Sequence, residues 1–346
     1  MQKAPEDLKA STISSRFVVE MLQGAKSRGL DTRQILREAS ISSEILEVPR
    51  SRITFTQFSS LSRSLARLLR DETYGLTHQP QHPGTYRLIC FSVMNAGTVG
   101  EAIEIYRSFI NILDNSFRLD LTAEGGQATL RLQRLPGRQI LNSFAIEHLF
   151  LTLYRTICWL ANAQIPIVRV DLDYDPPVHE AEYGYIFYKA PVVFDQAAPA
   201  MIFSEKSLDL PNLRNRSDLN DFTKDTSLRL LSQTYNSDNY SMRVRLWLSK
   251  MLMQENYAPD IETAADHFRL HPQALRRKLK KEGSYYNEIK TEARRDMAIN
   301  LISHKTDTVE SIAFQLGFSE SRAFVRAFKS WTGLTPLAYR KMSNQL

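Results

Sequence analysis

Between residues 308 and 333 apolar side chains recur at helical spacing twice, on either side of a single glycine. Ile312, Ala313 and Leu316 fall on one face of a helix starting near Thr308, and Gly317 tolerates the positive φ at which that helix must stop. Ser319 is placed to cap a second helix. There Ala323, Phe324, Ala327 and Phe328 return at three- and four-residue intervals while Arg322, Arg326 and Lys329 point away from them. Trp331, Gly333 and Pro336 close the segment, Gly and Pro ending the helix. The pattern predicts helix, tight turn, helix, with the second helix packed on one face and cationic on the other. An amphipathic hairpin that only packs would show the same spacing if it stood alone.

It does not stand alone. Residues 261–283 repeat the design, with Ala265 and Phe268 packing, a turn at 269–271 and Pro272 opening the next helix. In the two copies Leu275 matches Phe324, Leu279 matches Phe328, Arg277 matches Arg326 and Lys280 matches Lys329. Between them, over 284–303, Tyr286, Ile289, Ala293, Met297 and Leu301 keep near-helical spacing, which predicts one long helix holding the copies apart.

The first two thirds of the chain carry other periods. Helical patterns occupy 13–28 (Phe17, Met21, Ala25), 32–39, 55–70 (Phe58, Leu61, Leu65, Leu68) and 98–113 (Ala102, Ile105, Phe109, Ile112). Strict alternation follows: Phe117, Leu119 and Leu121 face Leu130 and Leu132 across a Glu124-Gly125-Gly126 turn, a hairpin pattern. Further strands are predicted at 166–173, 191–194 and 200–203, with helices at 141–162 and 180–190. This predicts an α+β N-terminal domain with a mainly antiparallel sheet, followed by an all-α domain of two helix-turn-helix units joined by a long helix. The boundaries fall at 1–215 and 240–346. The polar, Asn- and Pro-bearing stretch between them, 216–239, is expected to link the two.

Charge changes this picture once it is split. The formal excess of +6 lies wholly in residues 236–346, which hold 18 Lys and Arg against 12 Asp and Glu, while the first 235 residues hold 26 of each. The run from Arg276 to Lys281 has five cations and no acid, a density suited to phosphate neutralisation and to donation into guanine edges.

Other chemistries find little support. The most apolar stretch, 144–161, is interrupted by Glu147, His148 and Arg155, so it reads as a buried helix and no membrane span is expected. Met1–Ala10 is charged and polar, unlike a signal peptide, and two cysteines give no disulfide framework. A reducing cytoplasmic location is expected. Cys90 and Cys158 sit among large apolar residues, as buried structural thiols do. His78 and His82 flank Pro80, which precludes a helical metal pair. No phosphate-binding glycine loop, G-x-S-x-G or HExxH occurs. An enzyme is not expected, and no metal or cofactor. Tyr183, Tyr185 and Tyr188, in a cluster with Phe187 and Phe194, could line an effector pocket or pack the core. The helices at 98–113 and 141–162 could form a dimer interface or the core.

The segment GFSESRAFVRAFKSWTGLTPLAYR resembles the second helix-turn-helix and C-terminal tail of the AraC/XylS family of bacterial transcription regulators, a likeness covering about residues 240–342. In that family two recognition helices enter successive major-groove segments of double-stranded promoter DNA. Carried over by position, the resemblance implies base-edge contacts from Gln273, Arg276 and Arg277 and from Ser321, Arg322 and Arg326, with Lys280 and Lys329 on phosphates. His271 stands where the family usually has a Ser or Asn cap, and Pro272 compensates by fixing φ in the first turn. AGTVGEAIEIYRSF with the following hairpin, and EYGYIFYKAPVVFDQAAPAMIFSEKSLDLP, resemble the effector domains of the subgroup with ornithine-utilisation and VirS-type regulators, over roughly 15–215. That implies a small-molecule effector, a homodimer and RNA polymerase as a partner. A domain that only dimerises is the alternative. A DNA-repair alkyltransferase fused to the same DNA-binding module is the remote one.

Overall fold

The computed structural model describes residues 11–232, 239–254, 258–304 and 307–344. They fall into two compact units, neither of them continuous in sequence. One comprises Phe17–Ile35 and Leu61–Asn236, the other Met1–Arg16, Leu36–Ser60 and Ser237–Leu346.

The first unit is built on a five-stranded sheet in the order Phe117–Glu124, Gln127–Arg134, Ala200–Ser204, Ile167–Asp171, Val192–Val193. The neighbours are antiparallel except for the last, parallel pair. The expected hairpin forms with Leu119 opposite Leu132 and Leu121 opposite Leu130. Gly125 and Gly126 both have positive φ, +61° and +79°, the conformation that lets a two-residue turn follow the strand twist. Helix Phe144–Ala161 is buried along nearly its whole length, Glu147 and Arg155 included, so it belongs to the core. Helix Val99–Ile112 buries Val99, Ala102, Ile103, Tyr106 and Ile110 and leaves Ile112 exposed.

Three findings depart from expectation in this unit. Helix Thr85–Val93 has no counterpart in the predicted elements, although its buried residues Tyr86, Ile89, Cys90 and Val93 keep helical spacing. Residues 216–232 are not a linker. Asn215 and Asp218 form a reciprocal capping box that starts helix Arg216–Thr223, helix Thr226–Ser232 follows, and Phe222 stacks on Trp159 with ring centroids 4.3 Å apart. The rest of the expected linker, 233–238, lies outside the described residues. The domain boundary is also redrawn, because residues expected in the N-terminal domain pack with the C-terminal one.

In that second unit, short strands Thr12–Ser14 and Arg52–Thr54 pair antiparallel beside the long helix Tyr286–His304. Asp296, buried on that helix, accepts from Thr12 Oγ1 at 2.6 Å and Arg245 Nη2 at 2.8 Å. Arg52 Nε donates in turn to Thr12 Oγ1 at 2.8 Å. Burial pushes the Asp296 carboxyl up, but Arg295, Arg245, Arg52 and the Thr12 hydroxyl outweigh it and hold the group below the usual carboxylate range. Tyr339, fully buried on helix Pro336–Ser343, donates to the Arg52 carbonyl. Pro336 thus opens a last helix, behind a Thr335 cap, rather than only stopping the one before it.

Candidate nucleic-acid interface and ligand cavity

Both predicted helix-turn-helix copies form. Helices Ile261–His267 and Pro272–Lys281 make the first. Helices Val309–Gln315 and Ser321–Thr332 make the second. The long helix of 19 residues between them spans about 28 Å at 1.5 Å per residue. Its five expected packing residues, Tyr286, Ile289, Ala293, Met297 and Leu301, are all buried.

The two turns share one hydrogen-bond pattern. Gly317 N–H donates to the Phe314 carbonyl at 2.9 Å and Phe318 N–H to Ala313 at 3.0 Å, while Arg269 N–H donates to Asp266 at 3.0 Å and Leu270 N–H to Ala265 at 2.8 Å. This is the double closure of a left-handed helix end. Gly317 has φ +75° and Arg269 φ +55°, so the first copy makes with an arginine the turn for which the second uses glycine.

The second recognition helix starts differently from expectation, and the first carries its cap on His271. His271 is a true cap: its Nδ1 accepts from Gln273 N–H at 3.3 Å, ahead of Pro272. In the second helix Glu320, not Ser319, holds the cap position, without a side-chain bond. Inside the helices the alignment holds. Leu275, Leu279, Phe324 and Phe328 are buried. Gln273, Arg276, Arg277 and Lys280 on one helix, and Arg322, Arg326 and Lys329 on the other, are exposed, while Ser321 is half-buried. Arg276 pairs with Glu262 across the first turn at 3.0 Å. Each recognition helix therefore fixes an apolar face inward and presents cations outward.

The sheet unit holds a partly open cavity of about 330 Å³, within the size range of small-molecule sites. Its walls include Tyr74, Tyr86, Tyr106, Ala145, His148, Leu149 and Thr152, with Glu72, Arg87, Lys224 and the Arg63–Asp225 ion pair adding both signs of charge. Burial pushes the His148 imidazole down to about 4, so it is neutral here. Glu72, raised by burial, accepts from Gly84 N–H at 2.7 Å and Tyr86 N–H at 2.8 Å. Tyr183, Tyr185 and Tyr188 do not line this cavity. Tyr183 is buried beside Glu147, Tyr188 lies under the Arg155 guanidinium at 4.7 Å, and Tyr185 is half-buried. No local pattern in the sequence marks this cavity, because its walls come from separated segments.

Burial pushes the Cys90 thiol up to about 12 and Cys158 up to about 11, which disfavours the thiolate in both. His78 and His82 are exposed in a loop. No helix among the described residues is long and apolar enough to cross a membrane.

Residues 29–212 match the family described as the arabinose-binding domain of AraC transcription regulator, N-terminal, and residues 264–342 match a helix-turn-helix domain. The chain belongs to the AraC family of transcription regulators. It is 26% identical to the ornithine utilization regulator of Pseudomonas aeruginosa over 98% of this chain and 99% of that one. With the transcriptional regulator VirS of Mycobacterium tuberculosis it shares 34% identity over 23% of each chain. Among solved structures, the transcriptional regulator CdpR from Pseudomonas aeruginosa aligns at 20% identity over 94% of this chain and 97% of that one, with a TM-score of 0.31. The protein is a DNA-binding transcription regulator with an arabinose-binding-like domain in front of its helix-turn-helix units.

Proposed function

We propose that a small molecule held in the sheet-unit cavity controls how the two helix-turn-helix units engage promoter DNA. Gln273, Arg276 and Arg277 on one recognition helix, and Ser321, Arg322 and Arg326 on the other, meet base edges in successive major-groove segments, and Lys280 and Lys329 meet phosphates. The protein acts in the cytoplasm as a homodimer, with RNA polymerase as a further partner, as the family likeness implies.

The observation that carries the sensing step is the 330 Å³ cavity with both signs of charge on its walls. Such a lining suits a small zwitterion, its ammonium group toward Glu72 and its carboxylate toward the cationic side chains. A relative named for ornithine utilization places amino acids first among compounds to try. The test is a thermal-shift screen of the full-length protein with amino acids and related metabolites, alongside an Ala145→Trp variant that fills the cavity. A ligand at 100 times its Kd stabilises the folded protein by about 2.7 kcal/mol. Wild type is expected to shift and to change its operator affinity, and the variant to do neither. A shift that survives Ala145→Trp refutes the cavity assignment. The absence of any shift favours the dimerisation-only reading.

A further inference from the structure

Away from the cavity, the sheet unit buries a second polar cluster that the regulatory reading does not use. Glu20 lies in the last turn of helix Ser15–Met21, Glu147 lies one turn into helix Phe144–Ala161, and His179 precedes the short turn at Glu180–Glu182. One carboxylate oxygen of each glutamate and one ring nitrogen of the histidine lie within 4.8 Å of one another. The Glu147 and His179 side chains are 2% and 3% exposed. Glu147 Oε2 and His179 Nε2 face each other at 3.9 Å, within ion-pair distance but too far to hydrogen-bond, and neither has a hydrogen-bond partner. Glu20 Oε1 stands 3.5 Å from His179 Nδ1. Among the described residues no lysine or arginine lies within ion-pairing distance of either glutamate.

A buried carboxylate whose inner oxygen meets only an imidazole edge is poorly compensated, and the groups around the cluster look like the outer support of a ligand set. Tyr174 Oη donates to Glu147 Oε1 at 3.0 Å, and Tyr183 Oη donates to the same oxygen, leaving Oε2 directed at the histidine. Ser143 Oγ donates to Glu20 Oε2 at 3.3 Å, and Asn142 Nδ2 to the Glu20 carbonyl at 2.9 Å. Phe17 fixes the imidazole edge-on with ring centroids 4.7 Å apart. Glu20, at 21% exposed, is the way in from solvent.

We propose that Glu20, Glu147 and His179 bind a divalent transition-metal ion of the zinc class. Two oxygens and one imidazole nitrogen suit such an ion. The ion takes one of the two ring nitrogens, and around it that nitrogen and one oxygen of each glutamate would stand about 3.4 Å apart, against the 4.8 Å within which they lie here, so binding draws them together and leaves a fourth position for water. The ion ties together three segments far apart in sequence, and the tyrosine pair orients Glu147 as outer-shell donors do. The site lies outside the cavity walls and is independent of the effector reading.

The test uses full-length protein stripped with chelator, titrated with zinc, and titrated with cobalt to read the ligand field by absorption. Wild type should retain one zinc per chain after dialysis, melt at higher temperature with zinc than without, and give visible cobalt bands. Glu147→Gln and His179→Gln should weaken zinc binding more than about 100-fold, and Tyr183→Phe, which keeps all three ligands, about tenfold. Tyr183→Phe also decides the matter if the ligand variants fail to fold. Absence of zinc binding by wild type overturns the proposal. So does a cobalt spectrum unchanged in Glu147→Gln, which would place the metal elsewhere.

Discussion

At positions 269 and 317 the chain solves one geometric problem with two residues, and the difference is measurable. A left-handed conformation crowds any side chain with a Cβ, by about 1–2 kcal/mol. Arg269→Gly should therefore stabilise the helix-turn-helix unit by about 1 kcal/mol, and Gly317→Ala should destabilise it by a similar amount, checked by urea denaturation. The built Cβ at Gly317 would approach Arg294 Nη2 to 3.1 Å, a contact that a flexible guanidinium can relieve, so most of the loss is conformational. His148 gives a second prediction at this scale. Its folded value of about 4 lies below its ordinary 6.5, so the unfolded chain binds the extra proton between those values. The sign follows: stability is unaffected above pH 6.5 and falls as pH drops toward 4, by about 2 kcal/mol at pH 5. Wild type should lose that much more than His148→Gln between pH 7.5 and pH 5. An equal loss in both would assign the acid sensitivity to other groups.

Single residues also show where sequence reading stops. Gly317 announces its turn because glycine is the residue that turn prefers, while Arg269 gives no such signal. His271 marks its cap only faintly, since a ring nitrogen accepting from a backbone N–H is not among the usual capping oxygens. Glu20 and His179 carry no mark at all. Nothing local relates them to Glu147, and only the fold brings them together.

At the scale of elements, the recognition helices were legible because their burial has a period. Leu275, Leu279, Phe324 and Phe328 are each essentially inaccessible, and the cations between them fall outward by geometry alone. The strands at 12–14 and 52–54 were not legible, since three residues cannot display an alternation. They are held by Asp296 instead. Asp296→Ala would leave the buried Arg245 guanidinium without that partner and the Thr12 hydroxyl without its acceptor, and should destabilise this unit by about 3–5 kcal/mol in chemical denaturation. A loss under 1 kcal/mol would mean that the strand pair is held by its apolar contacts. On the outward faces, Arg277→Ala should weaken binding to a specific operator by about 1–3 kcal/mol in an electrophoretic shift at fixed salt, with little change on unrelated DNA.

For the whole molecule, the partition of charge governs how DNA affinity answers to salt. The formal excess lies in residues 236–346, so the proposed phosphate contacts fall where the net attraction is, and the sheet unit adds none. Lys280→Ala should weaken all sequences alike and lower the slope of log affinity against log salt by about 0.9, one phosphate contact. A loss confined to one operator would contradict the phosphate role. The two-part plan of the chain was legible from its periods and its charge, but the line between the parts was not, because side-chain contacts hundreds of residues apart decide it.

That line has a practical meaning for anyone who cuts the gene. The chain passes from one unit to the other after residues 16, 35, 60 and 236, so cleavage of one connection leaves three others intact. A fragment starting at residue 240 would keep every proposed DNA contact yet shed Thr12, Arg52 and the strand pair that Asp296 and Tyr339 grip. A fragment that carries residues 11–16 and 36–60 along with the C-terminal third should keep those grips and melt higher than one that starts at residue 240.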